Sequence, residues 1–215
     1  GGASLEGAKL QIISQNEKAV TVGGRSYNKG EVVKTLTTDK TGAASTGERD
    51  LPYGDYLVKE QASPAGYLME GVLEQRFSIR EDGVLVNRDA AGTSIRDNVA
   101  RGGVRIEKWD NETAKHGPQG SASLEGTKIQ VISDNANPVL VNGRSYGKGE
   151  VVKILTTGKD GSASTGERDL PYGNYIAKEQ TPPEGYLMEG VTERKFSIRE
   201  DGVTVNLNTA DTAIR

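Results

Sequence analysis

The feature that most limits what this chain can fold into is a repeat of itself at one fixed spacing. Ala3-Ser4-Leu5-Glu6-Gly7 returns at 122–126, the run STGERDLPYG at 45–54 returns at 164–173, and GYLMEGV at 66–72 returns at 185–191. The offset is 119 residues throughout, without insertion, and 66 of the 96 pairs between 1–96 and 120–215 are identical. A period of that length exceeds the roughly 20–50 residues of a solenoid unit and matches a whole domain. The chain therefore reads as two globular domains in tandem.

The repeat and the domains need not share a frame. Residues 97–119 occur once. Their second half, Asn111 to Gln119, is polar and turn-rich, but Val104-Arg105-Ile106-Glu107-Lys108-Trp109 alternates as a strand does. The expected division is a first domain over 1–100, whose first strand precedes residue 1, and a second over 101–215, whose last strand follows Arg215. The chain is then a window on a longer array, cut out of frame with its domains.

Within a unit, short apolar runs alternate with Gly, Pro, Asn and Asp punctuation. This pattern predicts strands near 8–13, 19–22, 31–37, 54–60, 75–80, 84–87 and 93–99, with equivalents 119 residues later. Leu51-Pro52-Tyr53-Gly54 has the residues of a type I turn and Glu81-Asp82-Gly83 those of a hairpin turn. No stretch of 11 or more residues carries a 3.6-residue period. The expected fold is all-β: two antiparallel β-sandwich domains of Ig-like kind.

Composition removes most chemistries. The 215 residues contain no Cys and a single histidine, His116. Disulfides, thiolate metal sites, Cys nucleophiles and His-cluster metal sites are excluded, and no cofactor or metal is expected. A net charge of −3 argues against a nucleic-acid surface. No apolar run approaches the roughly 18–20 residues of a membrane span, and no signal peptide opens the chain. If the parent protein is exported, this is a piece of it.

Strand parity supplies the remaining chemistry. In Asp55 to Glu60, Tyr56, Val58 and Glu60 share one face; Tyr175, Ala177 and Glu179 repeat this. A carboxyl thus points with the core residues, which is costly unless it is protonated, paired, or at a strand end reaching water. In Val104 to Asp110, Lys108 shares its face with Val104 and Ile106; in Ser94 to Val99, Asp97 shares its face with Ile95 and Val99, opposite Asn98. A desolvated Lys can become a neutral nucleophile and a desolvated Glu can carry its proton. With a carboxyl or carboxamide carbon in reach, the chemistry suggested is an amide between side chains. Lys34 and Lys153 also share parity with apolar neighbours, but read as edge-strand lysines that discourage aggregation.

The run from Tyr56 through Glu60 and Pro64 to Gly66-Tyr67, with its copy from Tyr175 through Glu179 and Pro183 to Gly185-Tyr186, resembles the Y-x-x-x-E-x-x-x-P-x-G-Y signature of Cna B-type, SpaA-like, prealbumin-like domains. Lys108-Trp109-Asp110 is similar to that family's K-x-D strand end. The resemblance implies tandem prealbumin-like sandwiches in the stalk of a Gram-positive adhesin or pilus-like protein, outside the cell and wall-anchored through parts beyond this chain. It also implies a spontaneous isopeptide bond with Lys108 as amine, Glu60 and Glu179 as proton relays, and Asp97 or Asn98 as acceptor. Parity favours Asp97; Asn98 is the commoner residue type for the role. As numbered, neither unit holds a full set of Lys, Glu and acceptor. Expected partners are neighbouring repeats of the same array, with strand exchange between molecules as one possibility and a host matrix protein or glycan as another. No activity in trans is expected, and the alternative reading is a ligand- or glycan-binding adhesive module. Lys40-Thr41-Gly42 and Lys159-Asp160-Gly161 resemble calcium-loop fragments, but Asp39 becomes Gly158 in the other copy and the ligand count fails; the single Arg101-Gly102-Gly103, His116, and Tyr27 with Tyr146 read as a loop, a solvated loop residue and packed strand-end tyrosines.

Overall fold

The computed structural model describes residues 2–90 and 92–215. It divides into two compact units, Ala3–Val99 and Ala100–Arg215. The first contains β1 (Lys9–Ser14), β2 (Val20–Val22), β3 (Arg25–Tyr27), β4 (Val32–Thr37), β5 (Gly54–Ala62), β6 (Tyr67–Val72), β7 (Glu74–Ile79) and β8 (Arg96–Val99). The second contains β9 (Arg101–Glu107), β10 (Lys128–Ser133), β11 (Val139–Val141), β12 (Arg144–Tyr146), β13 (Val151–Thr156), β14 (Ser162–Ser164), β15 (Leu170–Pro171), β16 (Gly173–Thr181), β17 (Glu193–Ile198) and β18 (Thr204–Leu207). No helix occurs among the described residues. The fold is all-β.

Each unit is built on a four-stranded antiparallel sheet, in the order β4-β1-β5-β7 in the first and β13-β10-β16-β17 in the second. The second unit faces its sheet with another, β14-β9-β15, to which β18 adds as a parallel neighbour of β9. Its core is drawn from both: Val104 and Ile106 of β9, with Leu170 and Leu207 from β9's neighbours, pack against Ile129, Val131, Tyr175 and Ile198. The alternating burial of β10 and β16 is the half-buried strand pattern read from the sequence. In each unit one strand of the sheet's central pair, β5 or β16, is anchored by a tyrosine. Tyr56 donates to the Pro52 carbonyl at 3.0 Å and Tyr175 to the Pro171 carbonyl at 2.8 Å, corner bonds like those that fix sandwich edges.

Several local expectations need correcting. Leu51-Pro52-Tyr53-Gly54 and its copy are not turns: Leu170–Pro171 is extended and pairs with β9, and the proline carbonyl serves the tyrosine hydroxyl instead. Glu81-Asp82-Gly83 closes no hairpin. In the second unit the equivalent turn carries the chain from β17, which pairs with β16, to β18, which pairs with β9. Residues 84–87 form no strand, although the equivalents of 85–87 lie in β18. The strand expected near 93–99 begins at Arg96 and pairs with β6, which the sequence did not suggest. Gly102-Gly103 lies within β9 rather than in a loop: a Cβ at either would stand 2.6 Å from a neighbouring carbonyl, of Val203 or Gly166. The hairpins β2–β3 and β11–β12 turn through Gly23-Gly24 and Asn142-Gly143, all four with positive φ, as a type I′ turn requires.

Candidate functional site

Glu60 and Glu179 owe their direction to a bulge. Leu10 pairs with Glu60 but Lys9 pairs with Ala62, and Ile129 and Lys128 repeat this against Glu179 and Thr181. The extra residue, Gln61 or Gln180, bends the strand end. The glutamate backbone N–H turns to the Leu73 carbonyl (2.8 Å) or the Thr192 carbonyl (2.7 Å). Both side chains are buried, at 2% exposure. They do not reach water at a strand end.

In the second unit the glutamate meets Lys108. This lysine follows β9 directly and continues its inward face, and it is 2% exposed among Val104, Ile106 and Ile214. Its Nζ lies 3.2 Å from Glu179 Oε2, while Oε1 is buried without a partner. Burial pushes the Glu179 carboxyl above the ordinary carboxylate range, against the pull of the Lys108 charge. Two charges in a dry core pay a desolvation cost that their attraction recovers only in part. Transfer of the proton from ammonium to carboxylate removes both charges and leaves an amine lone pair. The backbone at this point is tied to the last part of the unit. Lys108 bridges Ile214 in parallel, with Trp109 N–H donating to the Ile214 carbonyl at 2.8 Å.

In the first unit the glutamate meets Asp97. Asp97 is half-buried on β8 and Asn98 is exposed on the opposite face. Burial first, and then the neighbouring Asp97 carboxyl, push Glu60 up to about 7; Ser63 pulls weakly the other way. Glu60 Oε2 and Asp97 Oδ1 are both buried without a partner. The Asp97 carboxyl beside it adds to the cost of ionising Glu60 in this buried place. Lys108 with Glu179, and Glu60 with Asp97, thus stand in different units; Asn98 joins neither pair. Lys34 and Lys153 lie on β4 and β13, the edge strands, and pair with Asp50 and Asp169. No cluster of three or more potential metal ligands occurs among the described residues.

Asp110 plays a part that residue type alone did not disclose. It is buried and accepts from Thr113 N–H (2.7 Å), Gln119 Nε2 (2.9 Å) and the Tyr186 hydroxyl (2.9 Å). These bonds, the Thr113 amide foremost, hold its carboxyl down to about 2. Tyr186 is the final residue of the glutamate motif, so this bond clamps the lysine strand to the loop that follows Glu179. His116 is exposed, but it stacks on Trp109 and lies 3.5 Å from Glu107.

The comparisons with known proteins agree with this architecture. A model described as a SpaA prealbumin-like fold domain matches residues 1–92 and again 103–213. The Bacillus anthracis TIE protein has the same fold: it is 24% identical, with a TM-score of 0.54, over 94% of this chain and 30% of its own. A streptococcal ancillary pilin is 26% identical over 98% of this chain and 58% of its own, with a TM-score of 0.37. A minor pilin of Streptococcus agalactiae is 18% identical over 97% and 83%, at 0.35. The chain therefore spans less than two thirds of the first two. No curated protein matches the sequence. With one family model covering nearly all of both repeats, the chain belongs to the SpaA family of prealbumin-like fold domains.

Proposed function

We propose that the chain supplies structural stalk repeats of a bacterial surface adhesin or pilus-like protein, each repeat closed by an amide between lysine and aspartate side chains. The observation that carries this reading is the Lys108–Glu179 pair, buried at 3.2 Å in an apolar core where an ordinary stabilising role would be costly. Glu179 takes the ammonium proton, and neutral Nζ attacks the Cγ of a protonated carboxyl. The carbon–nitrogen bond forms, the carbon–oxygen bond breaks, the hydroxyl leaves as water with the proton that Glu179 returns, and the surplus proton on the amide nitrogen passes back to Glu179.

The repeat indicates the acceptor. Ile214, beside Lys108, corresponds to Ile95, and Asp97 stands two residues further on with its side chain turned toward Glu60. Such a bond between first and last strands closes a loop near 100 residues and restricts the unfolded chain by about 4–5 kcal/mol, on the scale of a disulfide. It would do so in a sequence without cysteine, which suits an extracellular stalk under load. No substrate is turned over; the chemistry acts once, on the protein itself.

The test is a chain lengthened past Arg215 by the sequence of Asp97 to Ala100. Its intact mass is expected one water below the sequence mass, and Glu179→Ala is expected to restore the full mass. Loss of one ammonia instead would move the acceptor to the asparagine. A lengthened chain at full sequence mass overturns the proposal.

A further inference from the structure

The run Arg101-Gly102-Gly103 opens β9, and nothing in the amide chemistry uses it. Strand period alone does not fix where β9 comes to rest, because a slip by two residues keeps every inward side chain inward. A slip one way would set Ile106 where Lys108 stands, before Glu179. A slip the other way would carry Lys108 into the place of Ile106. Either moves the lysine by about 6–7 Å along the strand, which ends a contact of 3.2 Å.

Two adjacent glycines oppose such slips. A Cβ at Gly102 would stand 2.6 Å from the Val203 carbonyl oxygen and 2.9 Å from Ile198 Cγ2. A Cβ at Gly103 would stand 2.6 Å from the Gly166 carbonyl oxygen and 3.1 Å from Thr165 Oγ1. Backbone closes both places, and backbone does not turn aside as the end of a long side chain does. A two-residue slip brings either Ala100-Arg101 or Val104-Arg105 into them, and each of these residues carries a Cβ. The close approach is also bonded: Gly103 N–H donates to the Val203 carbonyl (3.0 Å), Gly202 N–H to the Arg101 carbonyl (2.7 Å) and Val104 N–H to Thr165 Oγ1 (2.9 Å).

Arg101 adds an attraction to this exclusion. Its Nε donates to the Arg168 carbonyl and its Nη2 to the Asp169 carbonyl, both at 2.8 Å, and both Nη atoms reach the Leu140 carbonyl at 3.2 Å. Its backbone N–H donates to Asp201 Oδ1 at 3.0 Å. These acceptors lie on β11, on the approach to β15 and in the turn before β18, and a rigid guanidinium fork meets all three carbonyls from one place.

We infer that Arg101-Gly102-Gly103 is a register key, a positioning element that decides which residue of β9 stands before Glu179. That choice has chemical meaning on the reading that Lys108 is the amine; the register itself does not depend on it.

The chain has no cysteine, so a pair of cysteines placed in it reports register as a single disulfide. Glu107 stands opposite Ser162, and the first of the two slips would bring Arg105 there instead. Opposed residues lie within disulfide reach, and residues offset by two lie beyond it. Inserting a second Val-Arg after Gly103 sets the key against the lysine end of the strand, since only one of them can then keep its place. Cysteines at 105 and 162 are expected to crosslink in the inserted chain, and those at 107 and 162 to crosslink more than tenfold more slowly than without the insertion. In the chain lengthened past Arg215, the insertion is expected to abolish the loss of water. A 107–162 link that forms at its original rate overturns the inference, because Lys108 and Asp110 would then hold the register. If the inserted chain does not fold, single substitutions decide: Gly103→Ala is expected to slow the 107–162 link more than tenfold and Lys108→Met to leave it unchanged. The reverse order overturns the inference. Crosslinking reads the register with or without the amide, so a lengthened chain without the insertion that keeps its full sequence mass counts against the amide alone.

Discussion

The two units share 66 of 96 aligned residues, yet only one has a closed core. Ile129, Leu155, Ala177, Phe196 and Ile198 are buried; Leu10, Leu36, Val58, Phe77 and Ile79, at the same positions, are half-buried. Val205-Asn206 lies in a strand, whereas the identical Val86-Asn87 does not. The difference lies in β9, which reaches its partners across 55 to 101 residues of chain. Strand state at these positions is decided by the partner rather than by local propensity.

The largest expected effect comes from exchanging the residues at one core position. Leu207 is 3% exposed beside β9, and Arg88 occupies its place in the first unit. Leu207→Arg is expected to cost about 4 kcal/mol or more, because it removes a packed side chain and buries a guanidinium. Arg88→Leu is expected to change stability by less than about 1 kcal/mol, since that site has no lid to pack against. Urea unfolding followed separately at Tyr56 and Tyr175 by hydrogen exchange measures both. Equal costs would mean that β9 is not the source of the difference.

The same contrast explains what could be read in advance. Alternation within a strand is a local property, so the inward faces of β5, β9 and β16 were legible, including the odd polar members Glu60, Lys108 and Glu179. The destination of a strand is not local. Residues 84–87 carry a strand pattern but pair only if β9 lies beside them, and the turn at Glu200-Asp201-Gly202 crosses between sheets because β18 has that partner. β6 escaped notice because Tyr67 to Val72 lacks alternation and pairs with β8 through an irregular register. Asp110 is legible only as part of K-x-D; its clamp on Tyr186 joins residues 76 apart. Asn142-Gly143 was the overlooked local signal, since that dipeptide is a strong hairpin turn.

Titration is expected to separate the units next. Burial and Asp97 raise Glu60 from 4.5 to about 7, so the folded first unit binds this proton more tightly than the unfolded chain. Its contribution is fully present below about 4.5 and is lost as pH rises through about 7, an effect on the order of 1–3 kcal/mol. Asp110 has the opposite sign. Held at about 2 instead of 3.8, it contributes to the second unit above 3.8 and loses that contribution as pH falls through about 2. Glu179, also raised, adds to the second unit a loss on rising pH of its own. The decisive comparison is therefore Glu60→Gln, which should flatten the first unit's stability across 4.5 to 7 and leave the second unit's profile unchanged. A slope that survives this substitution would place the titrating group elsewhere.

The smallest contrast lies in the hairpin that both units complete. Its first turn position is Gly23 (φ 57°) in one unit and Asn142 (φ 49°) in the other. Both conformations are left-handed, where asparagine is the best tolerated residue after glycine. A Cβ at Gly23 would meet nothing within 4 Å, so Gly23→Asn introduces no clash. The gain comes from the unfolded state, in which asparagine has fewer conformations to lose than glycine. Gly23→Asn is expected to stabilise the first unit by roughly 0.5 kcal/mol, and Asn142→Gly to destabilise the second by a similar amount. Gly23→Val separates this entropic effect from simple space filling: a β-branched residue fits the same open site but resists positive φ, so it should cost more than 1 kcal/mol, on the order of other strained left-handed positions. If valine and asparagine proved equivalent, the turn would not hold the I′ geometry, and the β2–β3 and β11–β12 hairpins would not be the feature that the two units share.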